Sequence, residues 1–189
     1  MDDPEQPASL DEVRDRLAIH DCIARQAMAN DLLDAELWKS AFWPDATESH
    51  GWYEGEVYPF VDETIPMLQA QMRATWHQVG LPFVTLEGDQ ARAVTCFFAY
   101  CRMRPGADGA ETDLLSGGRY IDRLEKRGGR WRIARRVSKG DWVRTDPASF
   151  EWGRPTLNGY IPRMGMWDAD DPARTLFGLA PAPHAEAAP

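Results

Sequence analysis

The chain has 189 residues, 43% hydrophobic and 27% charged, which suffices for one globular domain that folds unaided and is too short for a second full domain. Its formal charge of -9 argues against nucleic-acid or anionic-membrane partners, because both need a basic face. Three cysteines, Cys22, Cys96 and Cys101, are odd in number and lack paired ligand spacing, so neither a disulfide framework nor a zinc site is expected.

The opening "MDDPEQPASL" is acidic and proline-bearing, unlike a secretory signal, and no later stretch reaches membrane-spanning length. A soluble, cytoplasmic protein is expected, with residues 1–8 a flexible N-terminus. "SLDE" then matches a capping box, and Leu10, Val13, Leu17, Ala24 and Ala27 recur at helical spacing. This predicts a helix from about Leu10 to about Asn30. Asp34 can cap a second, shorter helix that "WPDA" stops at Pro44. A short strand, "ATESH", and a turn through Gly51 come next. From Val57 to Arg73 the spacing is helical again, with Pro66 expected at a helix start or a break, since it has no amide hydrogen to donate.

Beyond Arg73 the character changes. "TWHQVGLPFVTLEGDQARAVTCFFAYCRM" reads as two strands around an "EGD" turn, and "DLLSGGRYIDRLEKRGGRWRIARRVSKGDWVR" as two more around "RGG". Helices followed by a meander of strands predict an α+β domain whose curled sheet embraces its helices. "SGG" and "RGGR" sit at no strand-to-helix junction and are read as structural glycines rather than phosphate cradles. The domain is expected to span 9–144. Residues 145–189, rich in Pro, Gly, Trp and Asp, are expected to form an arm over a pocket mouth or subunit seam, ending in a disordered "APAPHAEAAP".

Eight Trp, seven Phe and five Tyr can fill a core or line a pocket for an apolar, cyclic ligand. Of the four histidines, His77 lies in a predicted strand, whereas His20, His50 and His184 fall on a helical face, in a turn and in the tail. His77 is therefore either a packed core residue or a base. An imidazole titrates close to cellular pH and can take a proton in one step and return it in the next. A carboxylate on its other ring nitrogen would fix the tautomer and stabilise the imidazolium.

Four stretches, "RLAIHDCIARQAMANDLLDAELWKSAFWPDA", "HQVG", "GGRYIDRLEKRGGRWRIARR" and "DW", occur in that order over roughly residues 9–144. Together they resemble the SnoaL-like branch of the nuclear transport factor two superfamily, which includes scytalone dehydratase, hexachlorocyclohexane dehydrochlorinase and bile-acid dehydratase. The resemblance implies a cone-shaped α+β barrel, with a curved, mostly antiparallel sheet wrapped around N-terminal helices and a pocket at its wide end. It implies a catalytic dyad of Asp31 and His77, a pocket tyrosine at Tyr120 and a pocket arginine at Arg136 that would hold a carbonyl or phenolate oxygen. Gln26, Thr75, Phe98 and Tyr100 are the candidate substrate-binding residues. Gln26 stands where the dehydrochlorinase has a lysine, so a cation helping a halide leave is missing.

The activity this implies is elimination, without metal or organic cofactor, of water or another small molecule from a hydroxylated cyclic or aromatic substrate of steroid, polyketide or lignin-derived type. The alternatives are a carbon-carbon lyase releasing a small aldehyde from an aromatic side chain, an isomerase or cyclase, and a non-catalytic small subunit of a ring-hydroxylating dioxygenase. A homotrimer is expected, because relatives assemble through their outer sheet faces and Phe97, Phe98, Tyr100 and Trp131 exceed what one face of a small core needs.

Overall fold

Ser9 opens the first helix as its capping box requires, its hydroxyl accepting the Glu12 amide at 3.2 Å. The computed structural model describes residues 9–148 and 171–179; the expected flexible N-terminus and the disordered tail lie outside the described residues. Helix α1 (Leu10–Asp31) buries Ile19, Cys22, Ile23, Ala27 and Ala29 along one stripe. Asp34 caps α2 (Ala35–Ser40) by accepting the Leu37 amide at 2.9 Å. Between the two helices Leu33 adopts φ 49°, an uncommon conformation for a branched side chain, while its side chain reaches the core at 3% exposure.

Next come β1 (Phe42–Ser49), β2 (Glu54–Glu56), α3 (Val57–Gln71), β3 (Met72–Val79), β4 (Phe83–Glu87), β5 (Gln90–Met103), β6 (Thr112–Arg127), β7 (Arg130–Pro147) and α4 (Pro172–Phe177). The seven-stranded sheet runs β2-β1-β7-β6-β5-β3, and β4 also pairs with β5. Among the described residues only β1 and β7 run parallel; the remaining pairs are antiparallel. The long strands β5, β6 and β7 form the curved wall. Helices α1 to α3 pack on it through a core that includes Ile19, Phe42, Phe60, Val61, Leu124 and Ile133. This is the expected α+β cone. Among the described residues no helix is long and apolar enough to cross a membrane.

Four expectations change. Pro44 does not merely end α2; it lies inside β1, within the irregular stretch of the β1–β7 ladder between Phe42 and Thr47, where a residue without an amide hydrogen is tolerated. Pro66 neither starts nor breaks α3, because Phe60, Val61, Thr64, Ile65 and Leu68 bury one stripe on both sides of it and hold the helix continuous. The segment from Met72 to Met103 contains three strands, not two, since "GLP" separates β3 from β4 before the tight β4–β5 hairpin. Finally, β7 keeps pairing with β6 through Pro147, past the expected boundary at 144.

The glycines are structural. Gly128 and Gly129, at φ 57° and 76°, form the two-residue turn that matches the twist of β6 and β7. A side chain at Gly118 would overlap the Lys139 carbonyl oxygen and come within 2.9 Å of the Phe97 ring, so the position must stay bare for β7 and the Phe97–Tyr120 stack to close on it.

Candidate active site

Asp31 is the last residue of α1 and His77 lies on β3. The Asp31 Oδ1 and His77 Nδ1 atoms are 2.7 Å apart, and Asp31 Oδ2 accepts the backbone N–H of His77, also at 2.7 Å. One carboxylate thus holds both the ring and the strand that carries it. A carboxylate can only accept, so Nδ1 carries the hydrogen and the neutral ring keeps its lone pair on Nε2. Asn30 Nδ2 stands 3.5 Å from that Nε2. The His77 and Asp31 side chains are 12% and 3% exposed, so their attraction is little screened by water.

The pair opens on a cavity of about 580 Å³ between the curved sheet and α1 to α3, within the usual range for small-molecule sites. Trp38, Trp52, Phe60, Phe97 and Tyr120 give it aromatic walls. Burial pushes the Tyr120 phenol well above its ordinary value of 10, leaving it a neutral donor across the working pH range. Its ring is stacked on Phe97 at 4.7 Å between centroids.

The other expected site residues divide. Gln26 and Thr75 line the cavity, with Thr75 Oγ1 3.6 Å from the Cys101 sulfur. Phe98 and Tyr100 do not line it. Register pairs His77 with Ala99 and Thr75 with Cys101, so odd positions of β5 face inward and even ones outward. Phe97 therefore takes the place expected of Phe98. Phe98 packs outside near Trp76 and Trp142, and Tyr100 donates to Asp113 at 2.8 Å.

Arg136 also departs from expectation, being 1% exposed behind the cavity wall. Its Nε and one terminal nitrogen donate to the two Asp122 oxygens at 2.7 and 2.8 Å, and the other terminal nitrogen donates to Gln26 Oε1. The guanidinium lies 4.1 Å from the Tyr120 ring centroid. With all three nitrogens engaged, it braces Gln26 and Tyr120 from behind.

Of the cavity-lining residues that escaped the sequence reading, Glu48 and His50 form a pair. Glu48 on β1 is 3% exposed, and its Oε1 lies 2.8 Å from His50 Nδ1 and accepts the Ser138 hydroxyl at 3.0 Å. No local motif announces this pair, because Glu48 sits in a strand of ordinary composition and His50 in a turn. Among the described residues, four buried side-chain polar atoms around this cavity, Asn30 Oδ1, Trp38 Nε1, Glu48 Oε2 and Thr64 Oγ1, have no hydrogen-bond partner. Unpartnered buried polar atoms are rare in folded proteins, and those gathered at this cavity can be met there by water or by a polar ligand. Among the described residues no group of three or more His, Cys, Asp or Glu side chains is placed to hold a metal ion.

A curved sheet and helices enclosing an aromatic cavity, with His77 in its lining and Asp31 bonded behind it, belong to a known class of fold. The SnoaL-like domain family matches residues 11–137, and the chain belongs to that family. Type 2 hexachlorocyclohexane dehydrochlorinase (LinA) superposes with a TM-score of 0.67 at 18% identity, covering 78% of this chain and 99% of the other. A scytalone dehydratase-like protein from Novosphingobium aromaticivorans gives 0.61 at 16% identity, covering 81% and 92%. A nuclear transport factor 2-like superfamily protein from Salmonella enterica gives 0.58 at 18% identity, covering 68% and 92%. At these identities the likeness is one of fold. A search of curated proteins finds no match.

Proposed function

We propose that this protein is a lyase that needs no cofactor and eliminates water from a hydroxylated cyclic or aromatic substrate. The observation that carries the reading is the His77–Asp31 pair, hydrogen-bonded through Nδ1 and facing a 580 Å³ aromatic cavity. In the mechanism, His77 Nε2 takes a proton from the substrate carbon. Asp31 holds the ring in the tautomer that leaves Nε2 free and stabilises the imidazolium that forms. Tyr120 donates to a substrate oxygen that gains charge. Dehydratase and dehydrochlorinase names among the structural neighbours fit an elimination. Loss of halide fits less well, because Gln26 occupies the position expected for a cation and its oxygen already accepts from Arg136.

The test is a panel of neutral β-hydroxy ketones and hydroxylated tetralins, followed by mass spectrometry. Loss of water by the wild type, abolished in His77→Ala and reduced roughly 10²–10⁴-fold in Asp31→Asn with the fold intact, is the expected result. Turnover is expected to survive chelation and dialysis. Release of a small aldehyde would indicate carbon-carbon cleavage, and a product of unchanged mass an isomerase. Wild-type turnover in His77→Ala would overturn the assignment.

A further inference from the structure

The cavity holds a second histidine-carboxylate pair, on the wall formed by β1 and the turn that follows it. His50 Nδ1 lies 2.8 Å from Glu48 Oε1, against 2.7 Å in the His77–Asp31 pair, so each ring engages a carboxylate through the same nitrogen. The two sites differ in exposure: the His50 side chain is 40% exposed and that of His77 12%. His50 therefore stands where it can exchange protons with solvent, and His77 where it cannot do so freely. Phe60 organises the second wall. Its ring centroid is 5.3 Å from that of His50 and 6.2 Å from that of Trp38, and Thr64 follows one helical turn later on α3. Three of the unpartnered atoms, Trp38 Nε1, Glu48 Oε2 and Thr64 Oγ1, belong to this wall. A buried carboxylate with one oxygen unpartnered is costly unless a positive charge answers it. Arg136 lies within electrostatic reach of Glu48 but donates to Asp122 and Gln26, so the groups that meet Glu48 Oε1 from the cavity side are His50 and the Ser138 hydroxyl.

We propose that His50, held by Glu48, is the proton donor for the departing oxygen, acting across the cavity from the base His77, on a substrate with at least two oxygen functions and no negative charge. The proposal rests on the reading of His77 as the base. His77 Nε2 takes the proton from carbon, and the C–H pair becomes the new carbon-carbon π bond. The carbon-oxygen bond breaks with its electron pair on oxygen, and that oxygen takes the His50 Nε2 proton and leaves as water. After the product leaves, His77 gives up its proton to water that enters the cavity and His50 regains one from solvent, which closes the cycle. Trp38 and Thr64 can hydrogen-bond the second oxygen function. An anionic substrate would face buried Asp31 and Glu48 with Arg136 already spent on Asp122.

Two measurements test this. In the first, protein labelled with ¹⁵N in its histidine rings is titrated with 2-naphthol, a neutral hydroxylated aromatic. Ring signals of both His50 and His77 are expected to move with one dissociation constant. Movement of His77 alone would overturn the role of His50, and movement of neither would overturn the reading of the cavity. In the second, His50→Gln is assayed on a substrate that loses water and on its acetate ester, whose leaving group needs no proton. The variant is expected to lose roughly 10²-fold or more in kcat on the alcohol with KM little changed, and to recover most of that rate on the ester. His77→Ala is expected to lose both. If His50→Gln matches the wild type on the alcohol while His77→Ala is dead, the proton-donor role fails and the base assignment stands; if His77→Ala is active, both fail.

Discussion

Asp31 ends α1 with both carboxylate oxygens occupied by one residue of β3, so the geometry of the proposed base is set by a helix terminus rather than by a loop. Arg136 shows the opposite economy: the most deeply buried cation near the site spends itself on Asp122 and Gln26, and removing either ionic partner leaves an uncompensated buried charge costing about 3–5 kcal/mol. Loss of activity in an Arg136 variant would therefore report on folding as much as on chemistry. Cys22 gives a prediction in pH. It is fully buried against α2, its thiol donating to the Ala41 carbonyl at 3.2 Å, and burial pushes it from its ordinary 9.0 to about 11. The unfolded thiol ionises near 9, whereas the folded one keeps its proton to about 11. Its contribution to stability is thus complete below pH 9 and falls as pH rises toward 11, by up to roughly 3 kcal/mol. Urea midpoints measured from pH 8 to 11 are expected to fall less steeply in Cys22→Ala than in the wild type.

The elements were largely legible because their signals are local. The Ser9 capping box, the Asp34 cap and the two tight hairpins each depend on neighbours in sequence, and α1, α2 and the β6–β7 turn fall where those signals put them. Two of the failures turned on contacts made in the fold rather than on the local string. Pro66 reads as a breaker until the core contacts of Phe60 and Leu68 are counted, and Phe98 reads as a pocket residue until the pairing of His77 with Ala99 fixes which face of β5 points inward. Asp31 and His77 are 46 residues apart, and a recognised family pattern, not spacing, brought them together. Glu48 and His50 had no such pattern and were missed. Pro66 itself is exposed and withholds one hydrogen bond from the helix interior. Pro66→Ala is expected to stabilise the protein by about 1–3 kcal/mol, read as a higher thermal midpoint.

At the scale of the molecule, the outer face of the sheet is the feature without a partner. Register places Phe83, Val94, Ile121 and Val137 side by side across β4, β5, β6 and β7, with Phe83 at 72%, Val94 at 37% and Ile121 at 39% exposure. Trp131, also expected to be spare, is instead 5% exposed and donates to Asp15 at 2.8 Å. A contiguous apolar row of this kind is a liability in a monomer, and a homotrimer that covers it is the expected state. Light scattering at micromolar concentration is expected to give three times the chain mass, and Val94→Glu to lower it; a monomeric wild type would refute the assembly. Helix α4 meets the corner just after Asp31: its Arg174 is 2% exposed, donates to the Leu32 carbonyl oxygen and lies 3.6 Å from Asp34.

The second hydrogen bond of Asp31 also bears on how the protein avoids its own neighbours in a crowded solution. β3 ends the sheet, with no further strand beside it among the described residues, and the His77 N–H points away from β5 along that open edge. An unpaired amide on an edge strand invites a strand from another molecule, the first step toward fibrils. Asp31 occupies that amide, so the carboxylate that orients the proposed base also blocks the edge. The His77 amide hydrogen is then expected to exchange slowly with deuterium although it belongs to no ladder. Asp31→Asn, which keeps an acceptor oxygen, is expected to preserve much of that protection, while Asp31→Ala loses it and aggregates sooner on storage. Rapid exchange of this amide in the wild type would show that the edge is guarded by something else.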